Sequence, residues 1–184
     1  MSGSCGKVTS MVEQLDDVTI RPAAEGDAAG IARVHVRSWQ EAYAGIVPEG
    51  YLAALDVEER SAEWASYLRP GGSDEILVWV ALNGPSVVGF VTIGPSRDED
   101  AGRGDREIYS IYLDPGIWGH GVARDLMRTV IASVGEKTPI SLWVLADNER
   151  ARHFYRRHGF QADGVERYDE IGGENLLEVR YRRG

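Results

Sequence analysis

The sequence predicts an α/β domain: a mixed, mostly antiparallel central sheet flanked by helices on both faces. Three observations predict it. The apolar runs EILVWVAL and SVVGFVTIG are separated only by Asn83-Gly84-Pro85, the pattern of an antiparallel hairpin. Further on, strand-like REIYSIYL leads through a glycine stretch into a segment where Val122, Leu126, Val130 and Val134 recur every four residues, a helix, and PISLWVLA follows as a strand. The closing segments FQADGVERYDEI and NLLEVRYRR read as a strand pair. Hairpins mixed with strand–helix crossovers favour a mixed sheet, because a doubly wound parallel sheet needs more regular alternation.

The elements follow in order. VTIRPA (18–23) is a first strand, and Asp27 is placed to cap the next helix, in which Ile31, Val34, Val36 and Trp39 are loosely spaced at helical intervals. GIVPEGYLAAL turns at Pro48 into a short helical segment. DVEERSAEWASYL (Asp56–Leu68) is another helix, stopped by Pro70-Gly71-Gly72. After the hairpin comes an acidic, glycine-containing loop, PSRDEDAGRGD, expected to be mobile. Then come the strand from Arg106, a helix from about Gly121 to Val134, the strand PISLWVLA, a helix NERARHFYRRH ended by Gly159, and the closing pair. The order reads β-α-α-β-β-β-α-β-α-β-β. Residues 1–17 read as a flexible tail and 18–184 as one domain.

Composition narrows the function classes. At 184 residues the chain suits one domain and is too short for two comfortable ones. Its 43% hydrophobic and 27% charged residues are those of an ordinary globular protein. No apolar run approaches the roughly 20 residues that span a bilayer, so no membrane partner is expected. The N-terminus lacks the apolar stretch of a signal peptide, so a cytoplasmic location is expected. Cys5, the only cysteine, can make no intrachain disulfide and has no activating base nearby. His35, His120, His153 and His158 show neither HxxxH nor HExxH spacing, so no metal is expected. A net charge of −9 argues against a nucleic-acid partner. The segment Pro115–His158 nevertheless holds seven Lys/Arg against four Asp/Glu, leaving −12 on the remainder. Such a chain could hold an anionic ligand in one place and attract a cation to another, and solvated surface charge reads equally well.

The stretch WGHGVA (118–123) sits where a strand gives way to a helix. A helix start leaves about four backbone N–H groups unpaired and carries partial positive charge. Without Cβ atoms at Gly119 and Gly121, and with small Ala123 next, a phosphate could approach those donors, and Arg124 could add a charged contact. The residues alone read equally as a turn with no ligand. They form neither GxGxxG nor a loop ending in GK[ST].

Taken together, these segments resemble the GNAT superfamily of acyl-CoA-dependent N-acyltransferases. The family's loop Q/R-x-x-G-x-G/A matches Trp118-Gly119-His120-Gly121-Val122-Ala123, with Trp118 standing where Gln or Arg is usual. IYSIYLDP resembles the strand leading into that loop, and LADNERARHFYRRHGF resembles the family's second segment, in which an Asn starts a helix that carries an aromatic and ends in Gly-Phe. The likeness covers roughly the whole chain after Val18.

The resemblance implies a fold, a reaction and a site. Acetyl-CoA is the expected co-substrate, and a small-molecule or peptide amine attacks its thioester directly, with no covalent enzyme intermediate. The backbone of Ile111, Tyr112 and Leu113 would pair with the pantetheine arm, and residues Trp118–Ala123 with Arg124 would hold the pyrophosphate. Asn148 would bond the pantetheine arm, while its place before Glu149–His158 also suits an N-cap. Tyr155 would donate its phenolic proton to the departing thiolate, since a phenol of pKa about 10 is protonated at neutral pH; neighbouring Phe154 reads as core. Glu107 matches the family's general-base carboxylate, often acting through water, and reads equally as an exposed strand-edge glutamate. Strand alternation would put Glu107 and Tyr109 on one face, Ile108 and Ser110 on the other. SWQEAYAGIVPEGYLAAL resembles the family segment bordering the acceptor cleft, where Trp39 and Tyr43, four apart, are cleft walls or core. Asp98-Glu99-Asp100 could draw a cationic amine or be a solvated loop. Dimers are common in the family, and the closing strands could build a homodimer. Transfer of another acyl group and a non-catalytic acyl-CoA-binding module stay open as alternatives; a Rossmann oxidoreductase lacks the right glycine spacing.

Overall fold

Apolar patterning builds two helical layers on one sheet. The computed structural model describes residues 18–69 and 75–184; the tail 1–17 with Cys5, and the helix stop at Pro70-Gly71-Gly72, lie outside them. The chain runs β1 (Thr19–Pro22), α1 (Ala28–Ala42), α2 (Glu49–Ala53), α3 (Val57–Tyr67), β2 (Leu77–Asn83), β3 (Ser86–Pro95), β4 (Arg106–Leu113), α4 (Val122–Val134), β5 (Ile140–Leu145), α5 (Glu149–Arg157), β6 (Gln161–Ile171) and β7 (Glu174–Arg183). The short segment after Pro48 is a helix in its own right, so three helices, not two, separate the first strands. Strand order is β1-β2-β3-β4-β5-β7-β6, antiparallel throughout except for the parallel β4–β5 pair. The expected mixed, mostly antiparallel sheet is present.

The four-residue repeat of α4 buries Val122, Leu126, Met127, Val130 and Ile131 against Val91, Ile93, Ile108, Ile140 and Leu142. Burying a side chain of this size contributes about 1.5–3 kcal/mol. On the opposite face, Ile31 and Val34 of α1 pack on Val78, Val80, Val87 and Phe90. Central β3 serves both layers, which is why its sequence is continuously apolar.

Two local expectations change. Asp27 precedes α1 without capping it. Its carboxylate instead accepts both guanidinium N–H groups of Arg21, at 2.7 and 2.9 Å, and the Ala24 amide at 2.8 Å, closing the turn before the helix. The acidic loop is pinned. Asp98 accepts from Ser141 Oγ and Trp143 Nε1, both at 2.9 Å, and Asp100 accepts from Arg180 at 2.6 and 2.9 Å. Those two acids are therefore engaged within the fold and do not stand free to attract an amine.

The feature that positions a site is the parting of β4 from β5. Their ladder holds only from Arg106–Ile140 to Ile108–Leu142. Beyond it β4 continues along β3 to Leu113, and β5 continues along β7 to Leu145. The break coincides with a β-bulge, where Thr92 faces Ser110 and Ile93 faces Ile108, leaving Tyr109 as the extra residue. The bulge overrides simple alternation. Ile108, Ile111 and Leu113 face the α4 layer, while Tyr112 packs in the α1 layer with Phe90, and Ser110 reaches Thr92. Ser110 thus turns away from Ile108.

Candidate functional site

The parted strands open a cleft of about 1530 Å³. Trp39, Tyr43, Ile111, Tyr112, Leu113, Trp118, Gly119, Gly121, Val122, Ala123, Arg124, Asn148 and Tyr155 all line it. Two of the residues singled out in the sequence, Glu107 and His120, do not.

One end of the cleft is a helix start. Gly119 and Gly121 both have φ of 85°, in the left-handed region that glycine adopts without strain. Gly121 is the N-cap of α4 and offers no side-chain cap, so the amides of Val122, Ala123 and Arg124 are left without that partner. Among the described residues a Cβ on Gly119 would meet nothing within 4 Å, so the loop is open there, while one on Gly121 would come within 3.2 Å of Arg124 Nη2. His120 folds away, its Nδ1 3.1 Å from the carbonyl oxygens of Ile117 and Trp118. Arg124, Arg128, Arg150 and Arg157 line the cleft from α4 and α5. Uncapped amides, an open loop and several guanidinium groups suit a pyrophosphate.

Trp118 carries a guanidinium on its ring. Its Nε1 donates to Leu113 O at 3.2 Å, and the Arg150 guanidinium lies 3.7 Å from the ring centroid. The turn ahead of it is fixed by Asp114, which accepts from the Gly116 amide at 2.9 Å and pairs with Arg37 of α1 at 2.7 Å.

The middle of the cleft is the bare edge of β4, where Ile111–Leu113 pair with β3 on one side and, among the described residues, with no strand on the other. An extended ligand can add there as a strand would. Asn148 is the N-cap of α5, its Oδ1 accepting from the Ala151 amide at 3.1 Å, and the residue also lines the cleft.

Three phenols meet at the gap. Tyr155 enters from α5, 9% exposed. Tyr43 Oη lies 3.5 Å from Tyr112 Oη. Burial holds the Tyr155 phenol above its ordinary range, and the Tyr112 phenol adds to that. Burial also pushes Tyr43 up to about 12 and Tyr112 well above the usual value. All three are protonated at neutral pH, as a proton donor requires.

Glu107 has a different environment from either sequence reading. It is 1% exposed, neither at an open edge nor on the cleft wall. Its carboxylate accepts from the Arg97 amide at 2.9 Å and Nε at 3.2 Å, and from Arg97 Nη2. Arg97 itself lines the cleft, lying over the Tyr109 ring at 4.1 Å. With both oxygens taken up by Arg97 and the side chain buried, the carboxylate has no face open to an incoming amine.

Trp39 and Tyr43 are cleft wall and packing at once. Their rings lie 4.8 Å apart, and the segment they start packs through Val47 and Leu52 onto Leu145 and Ile171. The structure adds wall residues that motif reading did not single out: Arg97 and Tyr109 on one side of the gap, Trp143, Arg167 and Glu178 on the other. Each is an ordinary strand or loop residue in the sequence, and only the cross-strand register brings them together.

Comparison with known proteins gives the family and the fold. Residues 36–160 match the model of the acetyltransferase (GNAT) family. The uncharacterized N-acetyltransferase YuaI of Bacillus subtilis is 33% identical over 165 residues, covering 88% of this chain and 90% of that protein. The mycothiol acetyltransferase of Brachybacterium faecium is 36% identical over 143 residues, 75% of this chain but 39% of its own length. Among solved structures, the PaiA N-acetyltransferase of Thermoplasma acidophilum in complex with coenzyme A superposes with a TM-score of 0.68 at 19% identity, covering 91% of this chain and 99% of that one. A putative acetyltransferase, yncA, of Salmonella typhimurium with acetyl-CoA gives 0.66 at 20% identity, covering 91% and 93%.

Proposed function

The chain belongs to the GNAT family of acetyltransferases, and on that premise we propose that it moves an acetyl group from acetyl-CoA to a primary amine of a small molecule or peptide by direct attack. One observation carries the reading: the uncapped start of α4, the bare edge of β4 and the buried phenol of Tyr155 open into one cleft.

Bound acetyl-CoA supplies an activated acyl carbon and a thiolate leaving group. The amides at Gly121–Arg124, with Arg124 and Arg150, take the pyrophosphate. The β4 edge at Ile111–Leu113 and the Asn148 amide orient the arm, so the thioester lies where the strands part. Tyr155 gives its proton to the departing sulfur and recovers one from the nitrogen that has just been acylated, which leaves the phenol unchanged over a turnover. Trp39 and Tyr43 wall the acceptor side. Glu107 holds Arg97 at the mouth of the gap.

Thiol release from acetyl-CoA, followed over a panel of primary amines with propionyl-CoA and succinyl-CoA as competing donors, tests this reading. Amine-dependent release fastest with acetyl-CoA is expected. Equal rates with all three donors would remove the acetyl assignment, and no amine-dependent release with any donor would remove the transferase reading.

A further inference from the structure

With Glu107 enclosed by Arg97, another group has to meet the acceptor's ammonium. Three carboxylates among the described residues line the cleft: Glu136, Asp169 and Glu178. Glu136 follows the far end of α4, and Asp169 stands exposed on the edge strand β6. Glu178 is set differently. On β7 it faces Leu145 of β5 and Arg167 of β6, and directly opposed residues share a sheet face. Leu145 packs with Trp39 and Tyr43, so that face is the acceptor wall. The Glu178 side chain is only 13% exposed. Arg167 Nε donates to its Oε2 at 2.7 Å, and Arg167 is itself stacked over Trp143 at 4.1 Å, so the carboxylate is aimed by a braced partner. The charge of Glu178 also reaches the phenols at the gap, adding to what burial does at Tyr43 and Tyr112.

We infer that Glu178 is the carboxylate that receives the acceptor amine's proton, with Arg167 as its positioning residue; the inference rests on the transferase reading above. Glu178 binds the ammonium R–NH3+ and takes one proton, leaving R–NH2 to attack the thioester carbon. The C–N bond forms, the C–S bond breaks, and the sulfur leaves with the proton from Tyr155. The acylated nitrogen returns its surplus proton to Tyr155, and Glu178 releases its own to water. The groups around Glu178 are Arg167 and Asp169 from β6, Tyr43 beyond α1, Tyr112 from β4 and, on its own strand, Arg180, which is occupied by Asp98, Asp100 and Asp163. The substrate class is therefore an amine that is cationic at neutral pH.

The test compares wild type, Glu178→Gln and Arg167→Met. Acetyl-CoA binding is measured by calorimetry, and thiol release with an alkyl diamine, a polyamine, an amino sugar and a tripeptide with a free N-terminus. Glu178→Gln should keep acetyl-CoA affinity within about twofold while kcat/KM for the amine falls about 100-fold at pH 7. The deficit should shrink as pH approaches the amine's own pKa, where the neutral amine needs no base. Arg167→Met leaves the carboxylate in place and should lower kcat about tenfold with a shifted pH profile, which mere packing would not produce. Wild-type turnover by Glu178→Gln at every pH would overturn the inference alone. Wild type that binds acetyl-CoA but acylates none of the four amines would overturn the transferase reading, and this assignment with it.

Discussion

The guanidinium of Arg150, in the first turn of α5, lies 3.7 Å from the centroid of the Trp118 ring in the loop before α4. This contact ties the start of α5 to the loop before α4, at the end of the cleft proposed to hold the pyrophosphate. It also explains how Trp can stand where the family loop has Gln or Arg: the cation comes from the next helix and rests on the ring. Arg150→Ala should weaken acetyl-CoA binding about fivefold to tenfold, with far-UV circular dichroism unchanged. Unaltered affinity by calorimetry would mean that the stacked arginine is surface decoration.

Tyr155→Phe removes a hydroxyl and keeps the ring. If the phenol protonates the leaving sulfur, kcat should fall about 100-fold while KM for acetyl-CoA stays within about threefold. The opposite split, with turnover intact and KM raised, would make Tyr155 a packing residue. Tyr155 and the loop glycines were legible in the sequence because their signals are local: a Gly-Phe ending, an aromatic at fixed offset, glycines at a strand–helix junction. Glu178 was not. In NLLEVRYRR it is one strand residue among many, and only the register sets it against Arg167 and Leu145 at the cleft wall. Glu107 shows the converse. Its place on β4 is readable, but the arginine that closes over it comes from a loop ten residues earlier, and the bulge at Tyr109 that sets the local facing leaves no mark in the apolar pattern.

Gly121→Glu tests the cradle itself. A non-glycine residue at φ 85° is strained by about 1–2 kcal/mol, and the added Cβ would come within 3.2 Å of Arg124 Nη2. The carboxylate would also face the amides proposed to hold the phosphate. Acetyl-CoA binding should be lost by calorimetry while the protein still unfolds cooperatively. Retained micromolar affinity would place the pyrophosphate elsewhere.

His35 predicts a pH dependence of stability. It stacks on Tyr112, with ring centroids 5.2 Å apart, and borders Trp39, Trp64 and Phe90. Burial, helped by Arg60, lowers its pKa to about 4. The unfolded chain takes up this proton at about 6.5 and the native chain only near 4, so the stabilisation is whole above about 6.5 and is lost as pH falls toward 4. The loss should be about 3 kcal/mol, and His35→Gln should abolish this part of the pH dependence in urea unfolding. A variant with the wild-type slope between pH 6.5 and 4 would assign that slope to other groups.

A core substitution calibrates these variants. Leu126 is fully buried on the sheet-facing side of α4, and Leu126→Ala should destabilise by about 2–5 kcal/mol. Its remaining folded fraction should bind acetyl-CoA normally, since Leu126 supports the helix but does not line the cleft. Weakened binding in that fraction would show that core packing under α4 sets the cradle's geometry.

Calorimetric titration of the wild-type protein with acetyl-CoA, and with NAD as the comparison, tests the central claim most directly. Saturable micromolar binding of acetyl-CoA at one site per chain, with none for NAD, is the predicted result. Folded protein that binds neither, or binds both alike, would contradict the assignment of this cleft to acetyl-CoA.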